Sequence, residues 1–404
     1  MKVFFVVRGW PSESKPQNGI FERDQALALA KLGYEIVILI VNVRFKTICK
    51  KIGITKKIQD GFPLYELSVH SLWLFKLLKL FSVLKYEKII DFFFMRLFRH
   101  VVKTEGQPDL IYSHYLPFSA MAVAAKNEFD IPVVGMEHWS ELGAIRIKKY
   151  IKVWADYTYQ NLDCLLTVSS ALQENIQTSF GINSVVVNNM LGEEFLTQTQ
   201  IRANKELTPQ VKFIAIGNLI PCKAFDILIK ALHTASLPKN LWSLSIVGGG
   251  DEYNTLQKMI DKCGLTDNIH LLGRKDRNSV IALLRQSDVY VLSSYSETFG
   301  VSAIEALACG LPVISTECGG SRDFMTKENG ITCPVGDVIK MADALTYMFL
   351  HYTEYNREEI SETCLRKFSP SVISQQLDNV FTSLVQKKYQ SYINHDFCSY
   401  SCGW

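Results

Sequence analysis

Short apolar, β-branched runs recur along the chain with amphipathic stretches of helical period between them, and this alternation confines the fold to parallel sheets covered by helices on both faces. Strand-like runs fall at 3–7, 36–41, 110–113, 132–136, 165–168 and 184–187, with helical periods at 21–32, 120–129 and 170–180. After a polar segment at 197–210 the pattern restarts, with strands at 213–216, 244–247, 269–272, 289–292 and 312–315 and helices at 225–237, 251–263, 279–286 and 301–308. The expectation is an α/β protein of two doubly wound domains, 1–195 and 196–370, with 371–404 as a final helix and tail. Ligands of open α/β sheets bind beyond the carboxyl ends of the strands, so function is sought in the loops that follow them, in a cleft between the two sheets.

Charge is unevenly shared. Residues 1–190 hold 23 Lys+Arg against 17 Asp+Glu, the remainder 20 against 23, so an anionic partner is expected on the N-terminal half rather than a nucleic acid along the whole chain. Most of the excess lies in 44–57, with six basic residues and no acid, and in 72–103, where Lys76, Lys79, Lys85, Lys88, Arg96, Arg99 and Lys103 interleave with Leu, Phe and Trp. The second stretch reads as one or two amphipathic basic helices, either covering a sheet or docking on an anionic membrane surface. The opening residues 1–7 read as a strand rather than a signal peptide, and no apolar run reaches the ~20 residues a spanning helix needs. Of ten cysteines, without a Cys-x-x-Cys pair, most sit in apolar runs and read as buried free thiols, with Cys398 and Cys402 apart from them in the polar tail. A cytoplasmic protein, or one peripheral at the inner face of the cell membrane, is expected.

The most informative run is 294–314, read as strand end, loop, helix, stop and strand. Gly300 opens the helix, Gly310 ends it and Pro312 prevents its continuation. The free amides of that helix N-terminus make an anion site. Glu297 precedes the helix and Glu305 lies about one turn into it. Two carboxylates beside a phosphate site suit a sugar, because an ionised carboxylate accepts from two vicinal hydroxyls; a local ion pair or cap for Glu305 is the structural alternative.

The Glu-x7-Glu spacing within Ser-x-x-Glu-Thr-Phe-Gly, followed by Glu-Ala-x-Ala-x-Gly-x-Pro-Val-Ile, resembles the signature of the retaining family 4 glycosyltransferases of the GT-B fold, two Rossmann-like domains facing across a cleft. The resemblance continues through 217–229, 247–252 and 269–274, and more loosely through Gly19-Ile-Phe21, Glu137-His138, Val168-Ser169 and Asn189. It implies transfer of a sugar from a UDP- or GDP-linked donor to a saccharide acceptor, a role in cell-surface polysaccharide or glycan biosynthesis, and no metal or cofactor; the basic amphipathic stretch adds the expectation of a lipid-linked acceptor. Glu305 would bind the ribose, Glu297 the transferred sugar and Lys223 the diphosphate. Backbone amides around Phe299, Gly300 and Val301 would complete the phosphate site, Gly273 and Arg274 the base pocket. The Gly19 loop would approach from the other domain, and His138 would serve the sugar as a hydrogen-bond partner rather than a proton shuttle.

Three departures stand out, one of them Ala224 in place of the family's common Gly after the lysine. Asn218 occupies the place of the family's usual Arg, bringing no charge and no fork of donors; Arg274, Lys275 and Arg322 are candidate substitutes. Gly192 stands where the family often has Asp. The chain lacks Asp-x-Asp, Gly-x-Gly-x-x-Gly and a phosphate loop, which disfavours metal-clamped transferases and dinucleotide oxidoreductases. An epimerase of the same fold and a non-catalytic sugar-nucleotide-binding protein remain as alternatives.

Overall fold

The computed structural model describes all residues except 16, 45–52, 71–82, 140–146, 148, 198–209 and 401–404. The expected contribution of Lys76 and Lys79, the polar segment after 197 and the end of the tail therefore lie outside the described residues. The chain divides into two compact units: Met1–Val168, Gln173–Val187 and Ser374–Trp404 form the first, Ser169–Leu172 and Asn188–Ile373 the second.

In unit 1 the strands are β1 (Lys2–Val7), β2 (Glu35–Arg44), β3 (Gly53–Gln59), β4 (Phe62–His70), β5 (Leu110–His114), β6 (Val133–Glu137), β7 (Cys164–Thr167) and β8 (Val185–Val186). The helices are α1 (Ile20–Lys31), α2 (Val83–Glu105), α3 (Leu116–Phe129), α4 (Lys149–Asn161) and α5 (Ser170–Phe180), which joins unit 1 from Gln173. Sheet order is β3-β4-β2-β1-β5-β6-β7-β8, with every pairing parallel except β3 against β4. Strand order reverses at β1/β5, since β2 lies on one side of β1 and β5 on the other.

The buried run of β1 feeds both faces of this sheet. Phe4 and Val6 join Phe94, Phe98 and Val101 of α2 and Met121, Ala122 and Ala125 of α3. Phe5 faces the other way and meets the Tyr112 ring edge-on at 5.1 Å.

The β3–β4 hairpin is absent from the sequence expectation. Asp60 and Gly61 turn it with φ of 52° and 85°, as a two-residue Asp-Gly hairpin demands. Charge masked that signal: β3 is an edge strand whose Lys56 and Lys57 face solvent, a common protection against edge-to-edge pairing. Lys56 also pairs with Glu105 at 2.7 Å, so part of the basic excess is neutralised locally.

Unit 2 contains α6 (Glu193–Thr197), β9 (Val211–Ile216), α7 (Phe225–Ala235), β10 (Trp242–Val247), α8 (Tyr253–Lys262), β11 (Ile269–Leu271), α9 (Arg277–Gln286), β12 (Val289–Leu292), α10 (Val301–Ala308), β13 (Val313–Thr316), β14 (Gly330–Cys333), α11 (Val338–His351) and α12 (Arg357–Phe368). Its sheet is wholly parallel in the order β11-β10-β9-β12-β13-β14, so the reversal lies between β9 and β12. Phe213, Leu228, Leu244, Ile260 and Leu345 sit in its core. The chain passes into this unit at Val187/Asn188, ahead of the expected 195/196 boundary, because Asn188 already donates to Asp323 of unit 2 at 3.1 Å.

The last helix, α13 (Pro370–Tyr400), starts in unit 2 and belongs to unit 1 from Ser374. There Tyr34 donates to Asp378, and the fully buried Phe381 packs on Tyr112 with ring centroids 5.0 Å apart. Among the described residues no helix is long and apolar enough to cross a membrane.

Candidate active site

In unit 2 the sequence-expected residues gather at the carboxyl ends of the strands flanking the β9/β12 reversal, where a doubly wound sheet leaves a crevice. Gly217 and Asn218 follow β9, and the segment 293–300 follows β12. Lys223 reaches back to this point and its Nζ lies 2.5 Å from Glu297 Oε1. Gly217 permits that path, since a side chain there would meet the Lys223 methylenes at 3.3 Å. Ser294 donates to the same Glu297 oxygen at 2.7 Å, and Ser293 holds the Lys223 carbonyl at 2.8 Å. The loop backbone is pinned by Tyr295 N–H to Cys222 O at 2.8 Å and Glu297 N–H to Cys318 O at 2.9 Å.

Helix α10 begins at Val301 with no side-chain cap and no acid in its first turn, so its amides are available to an anion. Gly300 makes that start possible: φ is 105°, and a Cβ would press on the Phe324 ring at 3.2 Å. Phe299 contributes backbone only, because its ring is buried edge-on between Phe324 and Phe368.

Glu305 lies half-buried in the second turn of α10. Beneath the site the buried Tyr290 donates to Ser302 at 2.7 Å. Burial raises the Tyr290 phenol far above its ordinary pKa, and the charges of Glu297 and Glu305 raise it further. Tyr290 and Ser302 were not among the expected site residues; their register is visible only once β12 and α10 are adjacent.

Arg274 lies against the glycine loop after β10. A Cβ on Gly249 would fall 3.0 Å from its Cγ and Nε, and the Gly249 carbonyl accepts from Leu219, the neighbour of Asn218. The exposed Arg274 side chain thus lies along the loop whose Gly249 carbonyl is bonded to the residue after Asn218. Gly273, with φ 70° and open space around it, carries Arg274 out of β11. Gly192 also has a local reason: a side chain there would strike Arg277 at 2.4 Å, which pairs with Glu194 at 3.0 Å.

His138 and Gly19 belong to unit 1, at the carboxyl ends of β6 and β1. His138 is buried and meets His114 end to end, with ring centroids 5.4 Å apart and its Nε2 3.1 Å from His114 Nδ1. Burial, with Arg8 adding repulsion, lowers its pKa to about 3, which suits a neutral hydrogen-bonding imidazole. Glu137 fixes the turn, accepting the amides of His138 and Trp139 at 2.9 and 2.8 Å and the Tyr159 hydroxyl at 2.7 Å.

Two family models match the chain: "Glycosyltransferase Family 4" over residues 23–191 and "Glycosyl transferases group 1" over 197–362. An uncharacterized glycosyltransferase of Methanocaldococcus jannaschii is 29% identical over 231 residues, 56% of this chain and 61% of that protein. N-acetyl-alpha-D-glucosaminyl L-malate synthase of Bacillus anthracis is 23% identical over 401 residues, 96% of this chain and 98% of that one. The chain spans only 51% to 61% of the length of several other curated relatives it matches. The solved structure of sucrose-phosphate synthase from Thermosynechococcus elongatus superposes with a TM-score of 0.76 at 18% identity, covering 96% of this chain and 99% of that chain. The chain belongs to the group 1, family 4 glycosyltransferases and has their GT-B fold.

Proposed function

We propose that this protein is a retaining glycosyltransferase that moves a sugar from a UDP- or GDP-linked donor, without a metal, to a saccharide acceptor in cell-surface polysaccharide or glycan biosynthesis. The observation that carries this reading is the Lys223–Glu297 pair set beside the uncapped α10 terminus, with Glu305 on the same helix. When a nucleotide sugar binds, its diphosphate takes Lys223 and the α10 amides, while Glu297 turns to a sugar hydroxyl and Glu305 to the ribose. As the bond from the anomeric carbon to the phosphate oxygen breaks, charge grows on the diphosphate, and the fixed ammonium and helix amides stabilise it. The acceptor oxygen forms its bond on the same face, and its proton passes to the departing phosphate oxygen. Position and charge are the protein's contributions. Arg274 supplies the cation missing at Asn218, which favours an active enzyme over a non-catalytic binder.

A lipid-linked acceptor fits the exposed stripe of α2. Lys88, Phe92, Arg96 and Lys103 share one solvent face, and Phe92 is 63% exposed among these cations. Arg99, expected to join them, is engaged by Glu128 instead. Each free cation near an anionic surface contributes ~1 kcal/mol.

The testing experiment is a thermal-shift panel of UDP, GDP, ADP and NAD in excess chelator, since a ligand of the folded state alone stabilises it. A shift with UDP or GDP is expected. No shift with either, or a shift only with NAD, refutes the reading.

A further inference from the structure

Helix α11 covers the sheet of unit 2 but is apolar on both its sides. The inner side puts Met341, Ala342, Leu345 and Met348 into the core of that unit. The outer side leaves Ile339 58%, Tyr347 44% and Leu350 63% exposed, and one lysine and one aspartate are all that interrupt it. A surface helix ordinarily turns charge outward, as α12 does with Glu358, Glu359, Glu362 and Arg366. The strip continues past the helix start to the exposed Val335 and Tyr295. The Tyr295 ring lies over Gly336, 3.1 Å from where a Cβ would stand, so the strip ends on the loop that carries Glu297. Apolar side chains gathered in this way mark an interaction surface rather than scattered exposure.

The polar groups on this side are spaced evenly about Tyr347. Lys340 and Glu354 lie seven residues before and after it, Asp343 and His351 four before and after, which puts all five on one helix face. Tyr352 keeps helical dihedrals, φ −60° and ψ −24°, so the turn that holds Glu354 prolongs the axis of α11. Two copies laid antiparallel about a two-fold axis at Tyr347 therefore bring Lys340 of one level with Glu354 of the other, and Asp343 level with His351. A parallel alignment would set Lys340 against Lys340 and Asp343 against Asp343. Lys340 now pairs with Asp343 at 3.3 Å and Glu354 with His351 at 2.7 Å, and their side chains are 59% and 65% exposed. An ammonium has three donors and a carboxylate more than one acceptor site, so each can keep its present partner and take a second. Asp343 and Glu354 outnumber Lys340, so this face, unlike that of α2, does not suit an anionic lipid surface.

We propose that the outer face of α11 is a homodimer interface, on which a second copy of this chain packs its own α11 antiparallel. Ile339, Tyr347 and Leu350 of both copies are buried there, and two Lys340–Glu354 pairs between copies fix the register. The test is sedimentation equilibrium of the full chain, wild type and variants, with circular dichroism of each sample to establish that it is folded. Wild type is expected as a dimer at ~100 μM, where a micromolar association is nearly complete. Leu350→Glu should weaken the dimer at least ~30-fold, since each substitution enters a two-fold interface twice. Lys340→Glu should weaken it about tenfold, and adding Glu354→Lys should restore it to within about threefold, because the reversed charges again face each other across the axis. A monomeric wild type at that concentration overturns the proposal. So does a dimer that Leu350→Glu leaves intact, which would place the contact elsewhere. A dimer weakened by Lys340→Glu and not recovered in the double variant overturns the antiparallel register. Flotation with anionic vesicles supplies the remaining outcome: binding reduced by Leu350→Glu would make the face a lipid contact and overturn the homodimer.

Discussion

Replacing Lys223 by Met separates what the ion pair does for the fold from what the ammonium does for the ligand. The Lys223 and Glu297 side chains are 21% and 11% exposed, so the pair is largely withdrawn from water. Removing one partner of a fully buried pair costs about 3–5 kcal/mol; residual exposure and the surviving Ser294 bond reduce this to ~2–3 kcal/mol. In a domain of this size that is a fall of about 5–10 °C in Tm. Adding Glu297→Gln removes the stranded charge and should restore more than half of the lost stability. Nucleotide binding should not return, because the diphosphate has still lost a charge-assisted contact of about 1.5–3 kcal/mol, roughly 10- to 150-fold in affinity. Calorimetric melting and titration with UDP or GDP measure both effects on the same samples. An unchanged Tm in the single variant refutes the buried-pair energetics, and wild-type nucleotide affinity in the double variant refutes the role given to Lys223.

Glu305→Ala removes charge-assisted bonds to the ribose and should weaken UDP or GDP binding by ~1.5–3 kcal/mol for each bond lost; equal affinity by titration rules out the ribose assignment. His138 has a folded pKa of about 3 against an ordinary 6.5, so the unfolded chain takes up the proton first and stability is lost as pH falls below 6.5. The loss approaches 1.4 kcal/mol per pH unit, and His138→Phe should remove that component from a denaturation series between pH 7 and 5; identical slopes contradict the burial argument. Changing Lys88, Arg96 and Lys103 together to Ser should reduce sedimentation with anionic vesicles about 100-fold while leaving neutral vesicles unaffected, and no change removes the membrane reading.

The strands that carry the site were legible because parallel, doubly covered strands are nearly pure β-branched runs, and α10 occupies the expected 301–308 because Gly300 and Gly310 bracket it. Spacing alone put Glu297 in the loop ahead of α10 and Glu305 within that helix, as the structure has them. It did not show that Lys223 holds Glu297 directly, since that contact joins loops 74 residues apart. Strand β14 escaped notice, as Gly330 weakens a four-residue run. Helix α1 hid its chemistry more thoroughly: it buries Glu22, Asp24 and Gln25 alongside Ala26 and Leu29, and a buried acid cannot be told from a solvated one by periodicity.

The placement of α13 has a consequence for the order of events during synthesis. The interior of unit 1 is completed by Phe381 against Tyr34 and Tyr112, yet every residue from Asn188 to Ile373 must be made before that ring leaves the ribosome. At common elongation rates the wait is on the order of 10–40 s, during which Tyr34 and Tyr112 lack their cover while unit 2 can already fold. The first unit to begin is therefore the last to finish.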